Sequence, residues 1–109
     1  MNGNKKVIRF RDKVLNLTKQ IPGGRVTTYK HIAKKLNSKA YRAVGTALRN
    51  NKMPIEIPCH RIINSDGRIG SYKGVKNSKE KIKLLKKEGI EIKNNKIELK
   101  KYLFIFSSS

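Results

Sequence analysis

Apolar residues recur at three- and four-residue spacing along the first half of the chain, and that spacing predicts helices. Val7, Phe10, Val14 and Leu17 mark an amphipathic helix over residues 6–20. Ile21-Pro22-Gly23-Gly24 closes it, because proline and paired glycines break a helix. Thr28 stands just ahead of a second apolar-periodic run at residues 29–36 and is its expected N-cap. Asn37 and Ser38 make a polar turn, and Ser38 is expected to cap a third helix over residues 39–50. The apolar face of that helix is Ala40, Val44, Ala47 and Leu48, with Gly45 leaving room for close approach. Two short helices across a tight turn read as a helix-turn-helix, although any helical hairpin in a small core shows the same pattern.

The second half is less regular. Ile62-Ile63, the turn at Asn64-Ser65-Asp66-Gly67 and Arg68-Ile69 suggest a small irregular β excursion. Residues 70–74 form a glycine-bounded loop, flexible enough to close over something. Ser78 is expected to cap a last helix over residues 79–88, with Ile82, Leu84 and Leu85 inward and Gly89 at the C′ position. Residues 90–92 and 97–99 alternate across Asn94-Asn95, a hairpin signal. Residues 103–106 are expected to pack back as a tail, with residues 1–5 and 107–109 loose. The sum is a mainly α fold with small β elements, in one domain of residues 1–109 whose core lies at about 6–99.

Charge changes the picture. The chain has 27 Lys and Arg against 7 Asp and Glu, a net charge of +20, and such a field favours polyanions such as nucleic acid. A bias toward lysine in composition is the plainer reading of the same numbers. No stretch approaches the ~18 apolar residues of a membrane span, and the N-terminus lacks a signal-peptide apolar run, so a cytoplasmic protein is expected, or a nuclear one in a nucleated cell. One cysteine excludes an internal disulfide, and one cysteine with two histidines, His31 lying far from the others in sequence, makes a dedicated metal site unexpected. Phosphate-cradle motifs are absent.

That single cysteine lies in Ile57-Pro58-Cys59-His60-Arg61-Ile62-Ile63. A thiol attacks as thiolate, and a neighbouring imidazole or cation lowers its pKa toward neutrality. Pro58 fixes the backbone on one side, which suits a turn that presents Cys59 rigidly. A lone cysteine is otherwise a small buried hydrophobe, and both readings stand on these residues alone.

Five separated motifs, in order, resemble the O6-alkylguanine-DNA alkyltransferases, also called methylated-DNA–protein-cysteine methyltransferases. They are Val26-Thr27-Thr28-Tyr29, then Arg42-Ala43-Val44-Gly45 with Ala47 and Asn51, then Pro58-Cys59-His60-Arg61. Gly70-Ser71-Tyr72 with Gly74 and Glu88-Gly89 complete the set. The resemblance implies a helix-turn-helix, winged-helix-like DNA-binding domain that acts as a monomer on double-stranded DNA. It would flip an O6-alkylated guanine out of the stack and transfer the alkyl group once to Cys59, without metal or cofactor. By the same resemblance His60 takes the thiol proton through a water and Glu88 orients the imidazole. Tyr29 hydrogen-bonds the leaving guanine and helps turn the phosphate, and Asn51 braces the turn. Arg42 fills the gap left in the stack, with Ala40, Tyr41, Ala43 and Gly45 facing the minor groove. The carbonyls of Cys59 and Ile62 read the guanine amine, and Tyr72 and the Lys73 amide border the O6 atom.

Three features depart from the family pattern. Tyr41 and Lys73 stand where small residues are usual, and the additional N-terminal α/β domain of many members is not expected here. The alternative within the resemblance is an alkyltransferase-like sensor that binds the lesion without transfer. Such proteins typically have tryptophan at the cysteine position, so Cys59 argues for the enzyme. A plain helix-turn-helix regulator would leave Tyr29, Glu88 and the Pro-Cys-His-Arg run unexplained.

Overall fold

The computed structural model describes residues 9–53 and 56–106. The first expected helix is α1, Phe10–Thr18, with Val14 and Leu17 buried and the Thr18 hydroxyl donating to the Val14 carbonyl at 2.8 Å. Val7 and the loose ends at 1–5 and 107–109 lie outside the described residues. A two-residue strand β1, Thr27–Thr28, runs straight into α2, Tyr29–Lys35. Thr28 caps α2 as its position predicts, accepting from the His31 amide at 3.1 Å. Asn37 then takes a left-handed φ of 54°, and the Ser38 amide reaches back to the Ala33 carbonyl at 2.9 Å. That closes α2 as a Schellman turn.

The third helix, α3, is Tyr41–Arg49, shorter at its start than the sequence suggests. Ser38 does not cap it: Ser38 lies two residues before the N-cap, its hydroxyl accepts from the Ala40 amide at 3.0 Å, and Ala40 itself is exposed at the N-cap. The closing turn of α2 consumes the residues that would have begun α3. Val44, Ala47 and Leu48 point inward as expected, and α3 lies against both α1 and α2. With Ile21, Ile32 and Ala33 they form one apolar core that also holds Cys59, Ile62 and Phe106.

The turn at residues 64–67 closes as expected, with the Asn64 amide on the Arg68 carbonyl at 2.9 Å and the Gly67 amide on the Asn64 carbonyl at 3.0 Å, but β2, Ile62–Ile63, finds its strand partner elsewhere. It pairs in parallel with β1, Thr27 opposite Ile62 and Thr28 opposite Ile63. The chain after it is stitched to the far end instead, with the Ile69 amide on the Asn95 carbonyl at 3.0 Å and the Ile97 amide on the Gly67 carbonyl at 2.8 Å. A Cβ on Gly67 would stand 2.8 Å from that Ile97 carbonyl oxygen, so glycine is required there. The glycine-bounded loop is a hairpin: β3, Ser71–Tyr72, pairs antiparallel with β4, Val75–Lys76. Lys73 and Gly74 between them both have positive φ, 53° and 80°, the two-residue turn that matches strand twist.

Ser78 caps α4, Lys79–Lys87, and Gly89 follows with a φ of 90°. The Asn94-Asn95 turn forms, with a bridge between Lys93 and Lys96, but no ladder grows from it. Ile97 is already bonded to Gly67, and Leu99–Tyr102 coils into a one-turn helix, α5. The tail packs back: the Phe104 amide bonds the Val26 carbonyl at 2.7 Å and Phe106 is buried. A second apolar cluster, Val26, Ile63, Ile69, Leu85, Ile90, Ile97 and Tyr102, underlies this half. Among the described residues no helix is long and apolar enough to cross a membrane.

Candidate active site

The parallel pair of β1 and β2 brings two distant segments to one point. Tyr29 begins α2 directly after β1, and the turn holding Cys59 ends directly before β2. Pro58 precedes a single 3-10 turn, Cys59–Arg61, closed by the Arg61 amide on the Pro58 carbonyl at 2.9 Å. Asn51 braces this turn from outside, its Nδ2 donating to the Ile57 carbonyl at 2.8 Å and its Oδ1 accepting from the Met53 amide at 2.9 Å.

Cys59 is a free thiol, 9% exposed, on the wall of a cleft of about 910 Å³. Tyr29, Arg42, Gly45, Tyr72 and Lys73 line the same cleft. Burial pushes the thiol pKa up, while the Asn51 amide and the Lys81 charge pull against that rise. Burial also raises the Tyr29 phenol and takes Tyr72 to about 12, so both hydroxyls keep their protons at neutral pH.

Behind the cysteine lies a part-buried histidine–carboxylate pair. His60 is 3% exposed, and its Nε2 is 3.1 Å from the Glu88 carboxylate. Facing a carboxylate, Nε2 carries the proton, so Nδ1 keeps the lone pair. That Nδ1 is buried and has no hydrogen-bond partner among the described residues. Burial lowers the His60 pKa against the opposite pull of Glu88, which keeps the ring neutral near pH 7. Glu88 ends α4, where the helix dipole is unfavourable to a negative charge. Burial also disfavours the charged form, yet hydrogen bonds from Arg61 and His60 hold its pKa below the ordinary value. Arg61 forks onto the carboxylate, Nη2 at 2.6 Å and Nε at 3.0 Å, while Nη1 donates to the Ile21 carbonyl at 2.8 Å.

Sequence reasoning gave Arg61 no part beyond its motif and missed Lys81 altogether. Lys81 is fully buried, its ammonium donating to the Ile62 carbonyl at 2.6 Å and the Ser71 carbonyl at 3.1 Å. It thereby ties β2, which follows the cysteine turn, to the hairpin. Burial lowers its pKa to about 7, opposed by Cys59. Its helical phase was the available signal, since Lys81 precedes Leu85 by four residues and shares its inward face.

The other expected residues divide by place. Ile62 has no exposed surface, and one lone pair of its carbonyl is taken by Lys81. Tyr41, Arg42 and Ala43 lie exposed on α3, with Tyr41 and Arg42 on the cleft rim, whereas Ala40 and Ala43 do not line it. A Cβ at Gly45 would meet nothing within 4 Å, so this glycine opens the cleft rather than a helix contact. No group of three or more potential metal ligands occurs among the described residues.

Known proteins place this arrangement. A bifunctional methyltransferase/endonuclease of Picrophilus torridus is 46% identical over 91 residues, 82% of this chain and 30% of that protein. A methylated-DNA–protein-cysteine methyltransferase of Sulfolobus acidocaldarius is 44% identical over 86 residues, 79% of this chain and 53% of that protein. The chain thus spans about a third to a half of these relatives' lengths. Among solved structures, S. pombe Atl1 in complex with damaged DNA containing O6-carboxymethylguanine superposes with a TM-score of 0.79 at 30% identity, over 91% of this chain and 97% of that one. The family model for the DNA-binding domain of 6-O-methylguanine DNA methyltransferase matches residues 9–90, and the chain belongs to that family.

Proposed function

We propose that the protein repairs duplex DNA by moving the alkyl group of an O6-alkylguanine onto Cys59, once per molecule. The observation that carries this reading is a thiol on a cleft wall whose next residue, His60, is buried with its Nε2 3.1 Å from the Glu88 carboxylate. The neutral Nδ1 of His60 takes the thiol proton through a bridging water, and Glu88 stabilises the resulting imidazolium. The sulfur attacks the alkyl carbon, a C–S bond forms as the C–O6 bond breaks, and the electron pair returns to the purine. Tyr29, protonated at neutral pH, donates a hydrogen bond to that purine as charge builds on it. The proton lost by the thiol balances the one taken up by the restored guanine. No part of this step needs a metal or organic cofactor.

The guanine must first leave the stack, at a cost of a few kcal/mol that a weakened lesion pair reduces. Arg42, exposed on α3 and reaching the cleft rim, is the side chain suited to fill the vacated space. Asn51 keeps the cysteine turn in register with α3, and Lys81 keeps it in register with the hairpin.

Lesion binding without transfer is the second reading, favoured by the near-complete overlap with Atl1. Incubation with duplex DNA carrying O6-methylguanine, followed by peptide mass spectrometry, separates the two. Transfer adds one methyl group to the peptide holding Cys59, and Cys59→Ala binds the lesion without gaining mass. An unmodified peptide from a saturated complex rejects the enzyme and keeps the sensor.

A further inference from the structure

The cleft beside Cys59 is cationic on every side. Arg42, Arg49, Arg68, Lys73 and Lys76 line it, and no carboxylate does so among the described residues. Lys73 stands at the tip of the β3–β4 hairpin, with its side chain 49% exposed. It occupies the left-handed first position of the hairpin turn, next to Tyr72, whose ring is buried. Its ammonium stands 5.3 Å from the centre of that ring. The strand before it is anchored by Lys81 on the Ser71 carbonyl. Burial raises the Cys59 pKa, and Lys73 is the last of the groups that oppose the rise. A cation therefore lines the same cleft as the sulfur, on the element expected to border the O6 atom.

The partner Lys73 has in the free protein is easily exchanged. Its ammonium is 3.3 Å from the Glu80 carboxylate, with the two side chains 49% and 56% exposed. An exposed pair of this kind contributes little, so the ammonium is free to turn toward a ligand in the cleft.

We infer that the cleft favours guanines whose O6 substituent ends in a negative charge, and that the Lys73 ammonium binds that end. This rests on the lesion-binding reading above but not on transfer. A small neutral residue at this position would offer only bulk control. A lysine discriminates by charge, because a carboxylate at the end of a short O6 chain forms a charge-assisted bond with the ammonium that a neutral substituent of equal size cannot match.

The test compares duplexes carrying O6-carboxymethylguanine and O6-carbamoylmethylguanine, nearly equal in size and different in charge. Affinity is measured by fluorescence anisotropy for the full chain, Lys73→Met and Lys73→Glu, and transfer is followed on the same complexes. The full chain is expected to bind the carboxymethyl lesion about tenfold tighter, the scale of one charge-assisted hydrogen bond. Lys73→Met brings the ratio to one, and Lys73→Glu inverts it. A ratio of one in the full chain overturns the inference. So does a Lys73→Met protein that binds both duplexes more weakly with the ratio intact, since that is the signature of a phosphate contact. A charge-dependent ratio without transfer of either group upholds the inference and rejects alkyl transfer.

Discussion

The two walls of the cleft are built on opposite terms. The inner wall is Cys59, backed by His60, Arg61, Glu88 and Lys81, which are buried or half-buried and largely bonded to residues distant in sequence. The outer wall, formed by α3 and the hairpin tip, carries exposed Tyr41, Arg42 and Lys73. A group that must hold a proton at a fixed atom needs a low-dielectric site and several partners. A group that must meet DNA needs to be unspent before DNA arrives. Chemistry and recognition therefore separate across a few ångströms of the same cleft.

The largest effect that separates the walls is expected at His60. His60→Ala should slow transfer by about 10²–10⁴-fold, the usual span for a positioned acid–base group, while lesion affinity changes little. Because burial holds the imidazole below its ordinary 6.5, the rate in the unaltered protein should stay level down to that pH and fall only below it. Stopped-flow transfer assays across pH check both statements, and a rate loss matched by equal affinity loss would place His60 in binding instead.

At the outer wall the expectation reverses. Arg42→Ala should weaken binding to lesion DNA by roughly tenfold to a hundredfold, the cost of an unfilled gap in the stack. The transfer rate within the saturated complex should change less. Titration by fluorescence anisotropy, followed by single-turnover kinetics at saturation, gives the two numbers separately.

A smaller, purely thermodynamic effect marks Lys81. Its pKa is about 7 in the fold, below its ordinary 10.5, so between those values the unfolded chain binds more protons than the folded one. Stability then rises with pH across that window, by at most about 1.4 kcal/mol per pH unit. Thermal melts at two pH values between 7 and 9 should show the rise in the unaltered protein and lose it in Lys81→Met. Lys79→Met, exposed on the same helix, should keep it.

The same division explains what the sequence made legible. Helices α1, α2 and α4 follow from local periodicity, and Thr28, Ser78 and Gly89 act within four residues of the backbone they finish. Cys59 and His60 stand out by residue type from a lysine-rich background, whereas Glu88 alone reads as a solvated acid on a basic helix and is picked out only by the family resemblance. The start of α3 was misjudged because the Schellman turn of α2 competes for Ser38. The parallel pairing of Thr27–Thr28 with Ile62–Ile63, the hairpin bonds of Lys81 and the Arg61 fork on Glu88 join residues far apart in sequence. Such contacts leave little local trace. Lys81 had only its helical phase to distinguish it from many solvated lysines.

The most direct test reads the DNA rather than the protein. A duplex with a single O6-methylguanine is mixed with an equal amount of protein, digested to nucleosides and separated by chromatography. The lesion is expected to disappear and an equal quantity of guanine to appear, with nothing further on adding more damaged duplex. Full recovery of O6-methylguanine from a duplex shown to be bound would contradict transfer to Cys59.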